Sequence, residues 1–432
     1  VCDMVGAYPP TAEQTQIIEA PFAGVYRVVA GAGSGKTETM ALRVVWLVAN
    51  GFVAPRDVLG LTFTKKAATE LGSRISERIR ALPVLDEQSD SDWFQMPQVS
   101  TYNAFAARLF QDYAVYLGVD GDQEVSGQAA AWALARDVVV RSSHPALDQL
   151  DTSVEKLTTQ VWQLAQSMSE NTVAPDEVRE FSARFAALAD LPPGGRGGYP
   201  EPDKYVQRVS RLPLLMDLVE EFVQRKQERG MIEYSDQVRL GLEVVSSAPE
   251  VVQALRQRHR VVFLDEYQDT SVLQTALLST LFADHPVMSV GDPLQAIYGW
   301  RGASAANLAD YPRAFSTDGS ARTFGLQTSW RNSQAILDAA NSLCEPLRDD
   351  GPQGVGVLGP RPDAPAGQIS CVYPESLDDE ASEVADWFAE RLAGEGSTQS
   401  AALLLRSRKH QLVFAEQLEK RGIPVHILGL GG

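Results

Sequence analysis

At 432 residues, with 44% hydrophobic and 22% charged content, the chain can bury a core in each of two to four domains, and neither a run of eighteen apolar residues nor a basic-then-apolar start is present, so the expectation is a cytoplasmic protein without a membrane span. A net charge of −18 points away from indiscriminate binding to phosphate backbones, although a protein that lines a single channel with lysine and arginine escapes that average. Cys2, Cys344 and Cys371 stand far apart with no Cys-x-x-Cys or Cys/His cluster, which argues against a zinc site, an iron–sulfur cluster or a disulfide framework.

In chain order, the β-branched run at 25–30 predicts a strand that ends in a glycine-rich turn, with a helix over 38–49. A second strand at 58–64 leads into a helix over 65–82. Between about 106 and 230 apolar residues recur at helical spacing, over 128–141, 155–169, 176–189 and 205–229. The loop at 191–200, rich in Gly and Pro, interrupts them. Short apolar runs at 261–264 and 287–290 each end at an Asp or Gly-Asp. From about 320 a second α/β pattern is expected, with strands at 323–326, 368–373, 401–405 and 425–428 and helices at 333–345, 377–393 and 409–420. Strands alternating with helices indicate a parallel sheet, which binds ligands at the C-terminal ends of its strands. A helical block set inside that pattern reads as an insertion.

Ala30, Gly31, Ala32, Gly33, Ser34, Gly35, Lys36 and Thr37 lie directly between strand and helix. Backbone N–H groups in such a turn converge on phosphate oxygens, and the helix N-terminus adds a favourable dipole. Lys36 is then positioned for the β- and γ-phosphates, and Thr37 for Mg²⁺. A tight turn with no ligand is the alternative, and the Gly-Lys-Thr ending argues against it; the usual pattern opens with glycine where Ala30 stands. The run Val261-Val-Phe-Leu-Asp-Glu-Tyr-Gln-Asp269 buries a strand and delivers two adjacent carboxylates to its end. Asp265 can hold hydrated Mg²⁺, and Glu266 can orient or deprotonate the attacking water. Alone this run could be a solvated acidic turn; beside the phosphate loop it indicates a nucleoside triphosphatase.

Val290-Gly-Asp-Pro-Leu-Gln-Ala-Ile-Tyr-Gly-Trp-Arg-Gly-Ala-Ser304, taken with Asp-Glu-Tyr-Gln-Asp, closely resembles the UvrD/Rep/PcrA helicases of superfamily 1A. Further stretches agree in the family's order. Thr11-Ala-Glu-Gln14 is similar to its adenine-reading motif, and Leu61-Thr-Phe-Thr-Lys-Lys-Ala-Ala-Thr-Glu-Leu71 to its single-strand-binding motif Ia. Ser100-Thr-Tyr-Asn-Ala-Phe105 resembles motif Ib, with Asn103 where histidine is common. Ile232-Glu-Tyr-Ser-Asp236 matches the acidic stretch that returns the chain to the first motor domain. Thr328-Ser-Trp-Arg-Asn-Ser333 resembles motif IV, with Trp330 where tyrosine is usual. The resemblance covers nearly the whole chain.

The resemblance implies an α/β fold: a RecA-like domain 1A at 1–106 and 231–315, a helical insertion 1B at 107–230, and an incomplete RecA-like domain 2A at 316–432. It implies ATP and Mg²⁺ as cofactors, with Gln14 reading the base, Trp330 stacking on it, and Gln295 and Arg331 at the γ-phosphate beside Lys36, Asp265 and Glu266. Phe63, Tyr298 and Trp300 would stack on bases, which tolerates any sequence, and Thr64, Lys65 and Thr101 would hold strand phosphates. Core burial is the alternative for Phe63 and, less so, for Trp300. Lys66 reads as a solvated charge, Trp132 and Trp162 as core, and the five histidines receive no role.

The function implied is a 3′-to-5′ translocase or helicase on single-stranded DNA and single/double-strand junctions, engaged in end resection and repair. Composition and the Gly-Ser-Gly-Lys-Thr-Glu-Thr-Met run suggest an actinobacterial helicase–nuclease subunit of the AdnB type, with an AdnA-like sister motor–nuclease subunit as partner. A stand-alone repair helicase and a non-hydrolysing DNA-tracking or docking subunit are the alternatives. The family's two motifs after motif IV are not found. The expectation is therefore a chain that stops inside the second motor domain and hydrolyses ATP poorly alone.

Overall fold

The computed structural model describes residues 9–82, 95–121, 125–144, 147, 152–190, 202–299, 302–303, 306–349, 356–392 and 400–427. Among them, β1 (Val25–Ala30), β2 (Val58–Thr62), β3 (Gln98–Thr101), β4 (Val261–Leu264), β5 (Val287–Gly291) and β6 (Arg322–Leu326) form one sheet in the order β3-β2-β4-β5-β1-β6. Each neighbouring pair is parallel. β2, β4 and β5 are buried at every residue, as expected where helices cover both faces of a parallel sheet. Side chains alternate across such a strand. In β4, Val261 and Phe263 accordingly enter one core, and Val262 and Leu264 the other.

Helices α1 (Ala12–Ile18), α2 (Lys36–Ala49) and α3 (Lys65–Arg80) close the first of these cores, through Ile17, Met40, Val44, Leu71 and Ile75. α4 (Tyr102–Tyr113) opens the other face. The segment expected as an insertion folds as α5 (Gln128–Arg141), α6 (Val154–Glu170), α7 (Pro175–Ala186), α8 (Pro202–Val209) and α9 (Leu212–Glu228). It has its own core, around Leu134, Val138, Val161, Met216 and Phe222. The single helix expected over 205–229 is two, because Pro213 sits in the first turn of α9. Proline has no N–H to donate and its ring collides with the carbonyl four residues back, so it starts a helix more readily than it continues one. Trp132 and Trp162 are half-buried, and their indole N–H groups donate to Thr159 at 3.3 Å and Glu233 at 3.1 Å. The loop at 191–200 lies outside the described residues.

α10 (Tyr234–Ser247), α11 (Pro249–Arg258), α12 (Val272–Phe282) and α13 (Ala306–Phe315) then complete the second face with α4. The strand expected to begin a second α/β pattern instead joins the first sheet as β6, beside β1. Phe324 and Leu326 enter the same core as Val28, and that burial selects its partner. Beyond it come β7 (Thr328–Ser329), α14 (Gln334–Asp349) and β8 (Gly359–Pro360); β7 and β8 pair in parallel.

The chain separates into two compact units, Val1–Pro365 and Ala366–Gly432. In the second, α15 (Leu377–Leu392) and α16 (Gln411–Lys420) pack through Ala385, Phe388 and Leu418. The strands expected at 368–373, 401–405 and 425–428 are not formed among the described residues, which stop at 427. Tyr373 and Leu404 are fully exposed. An extended run with no neighbouring strand has neither a hydrogen-bond ladder nor a surface to bury against. No described helix is long and apolar enough to cross a membrane.

Candidate active site

Ala30 ends β1 completely buried, and the chain turns through Gly31, Ala32, Gly33, Ser34 and Gly35 before α2 begins at Lys36 and Thr37. Gly33 and Gly35 have φ of 72° and 83°, a left-handed backbone that side chains disfavour. The turn braces itself, since Ser34 Oγ donates to the Gly31 carbonyl at 2.9 Å. Gln14 reaches it from α1. Its Oε1 accepts the Thr11 N–H at 3.0 Å in a capping box, and its Nε2 lies 2.9 Å from where a Cβ on Gly35 would stand. The amide thus faces the loop with a donor. From the other side, Trp330 N–H donates to the Gly33 carbonyl at 2.8 Å, and Ser329 Oγ to that of Ala32 at 3.0 Å. The Cβ of Arg331 lies 2.7 Å from a Cβ built on Gly33. Trp330 and Arg331 therefore sit beside the loop within the same compact unit.

At the end of β4, Asp265 is 4% exposed. One oxygen accepts from Thr62 Oγ1 at 3.3 Å; the other, Oδ1, is buried with no hydrogen-bond partner. Burial, then the adjacent Glu266 charge, raise the Asp265 pKa to about 7, against the pull of Lys36. Glu266 adopts a left-handed φ of 48°, unusual outside glycine and common at functional sites. Its Oε2 stands 3.6 Å from Lys36 Nζ, which ties the acid pair to the phosphate loop. A hard divalent cation is the kind of partner that suits a buried carboxylate oxygen with no protein donor, which is compatible with the metal role expected of Asp265.

Two residues passed over by sequence reasoning connect this pair to the next strand. Gln268, 1% exposed, donates through Nε2 to Glu266 Oε2 at 2.8 Å and accepts the Asp292 N–H at 3.0 Å. Asp292 in turn accepts from Gln295 Nε2 at 2.5 Å and from the Leu294 N–H at 3.0 Å. A Cβ on Gly291 would meet Gln268 Oε1 at 2.5 Å, so glycine there keeps the path open. The available signal was Gln268 two positions after Glu266, inside the Asp-Glu-Tyr-Gln-Asp run already singled out for its acid pair. Arg43 was also missed. It is 1% exposed inside an apolar helix, and its guanidinium donates to the carbonyls of Ile17, Ile18, Ala20 and Pro21 at 2.9–3.1 Å. That fastens α1, and with it Gln14, to α2.

At the same sheet edge Phe63 and Tyr298 stack with ring centroids 5.0 Å apart. Phe63 follows β2 half-buried and outside the core clusters. Thr64 and Thr101 are the N-caps of α3 and α4; their hydroxyls accept the N–H groups of Ala67 and Ala104, both at 3.1 Å. Lys65 is exposed in the first turn of α3. Two helix N-termini thus open on adjacent strands, an arrangement that favours anions. Trp300 lies outside the described residues. Asn103 accepts from Gln274 Nε2 at 2.8 Å.

A family model described as the UvrD/REP helicase N-terminal domain matches residues 11–316. The chain is 25% identical over 421 residues to a DNA helicase II of Haemophilus influenzae and 25% identical over 418 residues to one of Escherichia coli. It is 23% identical over 419 residues to an ATP-dependent DNA helicase PcrA of Staphylococcus aureus. Each alignment covers 96% of this chain and 50% or 51% of the relative; the chain spans about half the length of the curated relatives it matches.

Proposed function

The chain belongs to the UvrD/REP helicase family, and on that footing we propose that it is the ATP-driven motor part of a DNA translocase acting on single strands. The observation that carries this reading is the continuous set of contacts from Lys36 through Glu266, Gln268 and Asp292 to Gln295. It runs from the phosphate loop to the segment bearing Tyr298. ATP would lie along the loop with Lys36 and Arg331 on its terminal phosphates, Gln14 donating to the base and Trp330 stacked on it. Thr37 and Asp265 would hold a magnesium ion, which supplies charge neutralisation at the phosphates. Glu266 orients the attacking water and takes its proton as the oxygen bonds to the γ-phosphorus and ADP leaves. Phosphate release frees Lys36 to re-form its pair with Glu266, and Gln268 passes that change to the loop that stacks on the strand. Electrostatic positioning of this kind supplies much of the rate in phosphoryl transfer.

The polarity proposed is 3′ to 5′. The setting proposed is resection of broken ends as part of a helicase–nuclease with a sister subunit, supported by the composition of the chain; the alternative is a stand-alone repair helicase, and the names of the relatives support the helicase activity common to both. The presence of Lys36, Thr37, Asp265, Glu266, Gln295 and Arg331 together argues against a motor that has lost hydrolysis. The motor reading is tested by titrating the chain with a fluorescent ATP analogue and Mg²⁺, then with labelled oligonucleotide. Saturable binding of both, with the nucleotide lost in Lys36→Ala, is expected. Equal nucleotide affinity in Lys36→Ala would overturn it.

A further inference from the structure

Tyr102 opens α4 directly after the N-cap Thr101. It is 3% exposed and packs in the core that holds Leu61, Leu264 and Tyr267. A buried tyrosine needs a partner for its hydroxyl. Here the hydroxyl donates to the backbone carbonyl of Asp265 at 2.7 Å, across 163 positions of sequence. Sequence reading gave Tyr102 no role.

The bonded carbonyl belongs to the peptide that joins Asp265 to Glu266. On the near side, the Asp265 N–H donates to the Leu61 carbonyl at 2.8 Å, which holds the chain against β2 as far as that peptide. Glu266 then takes φ 48° and ψ 42°, and its own carbonyl accepts the Asp269 N–H at 3.0 Å. A left-handed backbone at a residue with a side chain persists only where its surroundings impose it. Rotation of the 265–266 peptide would release Glu266 toward the right-handed region that such residues prefer. A hydrogen bond to the peptide oxygen opposes that rotation, and a donor on a ring packed in the core cannot follow it. The direction of the backbone at 266 matters because the Glu266 carboxylate stands 3.6 Å from Lys36 Nζ and accepts from Gln268 Nε2 at 2.8 Å.

We propose that Tyr102 is a positioning residue for Glu266: its hydroxyl holds the Asp265–Glu266 peptide in the plane that keeps Glu266 left-handed and aimed at the phosphate loop. This rests on the reading above, in which Glu266 takes the proton of the attacking water. Tyr102→Phe removes one oxygen and leaves the ring in its core. Two measurements on the full chain test it: ATP hydrolysis with Mg²⁺ in a single turnover under excess protein, beside Mg²⁺–ADP affinity, and a crystal structure of the variant. Hydrolysis is expected to slow about 10-fold, well short of losing a general base outright, with ADP affinity within twofold. In the variant Glu266 should take a negative φ, with its carboxylate drawn away from Lys36. A core tyrosine with no such role would lower the unfolding midpoint and move neither quantity. A rate within twofold of the unaltered chain, or a Glu266 that stays left-handed in Tyr102→Phe, would overturn the proposal. Where the unaltered chain binds ADP but turns over too slowly to follow, the backbone of Glu266 in the variant decides. Failure of the unaltered chain to bind Mg²⁺–ADP would overturn the nucleotide reading, and the proposal with it.

Discussion

Gln268 accepts the backbone N–H of Asp292 at 3.0 Å, and the same side chain donates to Glu266 at 2.8 Å. One buried amide therefore couples the carboxylate at the end of β4 to the loop after β5. Replacing it by leucine leaves the Asp292 N–H without its acceptor, a loss of about 1–3 kcal/mol for a buried donor. The larger consequence is functional. In the unaltered chain a non-hydrolysable ATP analogue with Mg²⁺ should change oligonucleotide affinity several-fold; in Gln268→Leu that ratio should fall to about one, with each ligand still bound. Anisotropy with and without the analogue measures it, and an unchanged ratio removes Gln268 from the link.

Part of this arrangement was legible because buried parallel strands read as apolar runs: 25–30, 261–264 and 287–290 became strands, with the glycine-rich loop and the acid pair at the ends of the first two. What was not legible depends on partners distant in sequence. Gln268 stands in the Asp-Glu-Tyr-Gln-Asp run with no partner in view; its role appears only when Asp292 arrives 24 positions later. The run at 323–326 carried a correct strand signal, but its place beside β1 is set by which core accepts Phe324 and Leu326. Arg43 drew no reading from the sequence, because the carbonyls it satisfies belong to another segment. The apolar runs at 368–373 and 401–405 carried strand composition without a strand to pair with among the described residues.

Asp265 Oδ1 has no donor in a site 4% exposed. An unpaired carboxylate is far costlier to bury than an unpaired amide. Asp265→Asn should therefore raise the unfolding midpoint of the nucleotide-free chain by a few degrees, the response to about 1 kcal/mol. The same substitution removes the anionic metal ligand. The further stabilisation that ADP gives in the presence of Mg²⁺, relative to ADP with a chelator, should disappear. Calorimetry of both proteins with ADP, with and without Mg²⁺, measures the two effects, and persistence of the Mg²⁺-dependent increment would exclude Asp265 as its ligand.

Arg43 is held at a pKa of about 10 by burial, so it stays charged at neutral pH and its four carbonyl bonds persist. Arg43→Met fills much of the same volume but satisfies none of those oxygens, at a cost of about 3 kcal/mol by the usual price of breaking a buried charged network. If the guanidinium also positions α1, Gln14 will lose its place over Gly35. Binding of ATP and GTP should then converge, because the phosphate contacts survive and the base contact does not. A variant that loses stability in urea yet keeps the original ATP/GTP ratio confines Arg43 to the fold.

His259 caps α11 at 2% exposure, with the Phe105 ring edge-on at 6.4 Å and a His285 ring nitrogen 2.6 Å from its carbonyl oxygen. Burial, then the Arg258 and His285 charges, lower its pKa from 6.5 to about 4. The unfolded chain therefore takes up a proton near pH 6.5, and the folded chain only near pH 4. Stability is complete above pH 6.5 and declines as pH falls toward 4, by about 2 kcal/mol between pH 7.5 and pH 5 for this group alone. His285 is shifted in the same direction and steepens the decline. His259→Gln cannot take up that proton, so its denaturant midpoint should vary less across the same interval, even if it is lower at pH 7.5. Equal pH dependence in the two proteins would show that His259 is not the group being titrated and would move the assignment to His285.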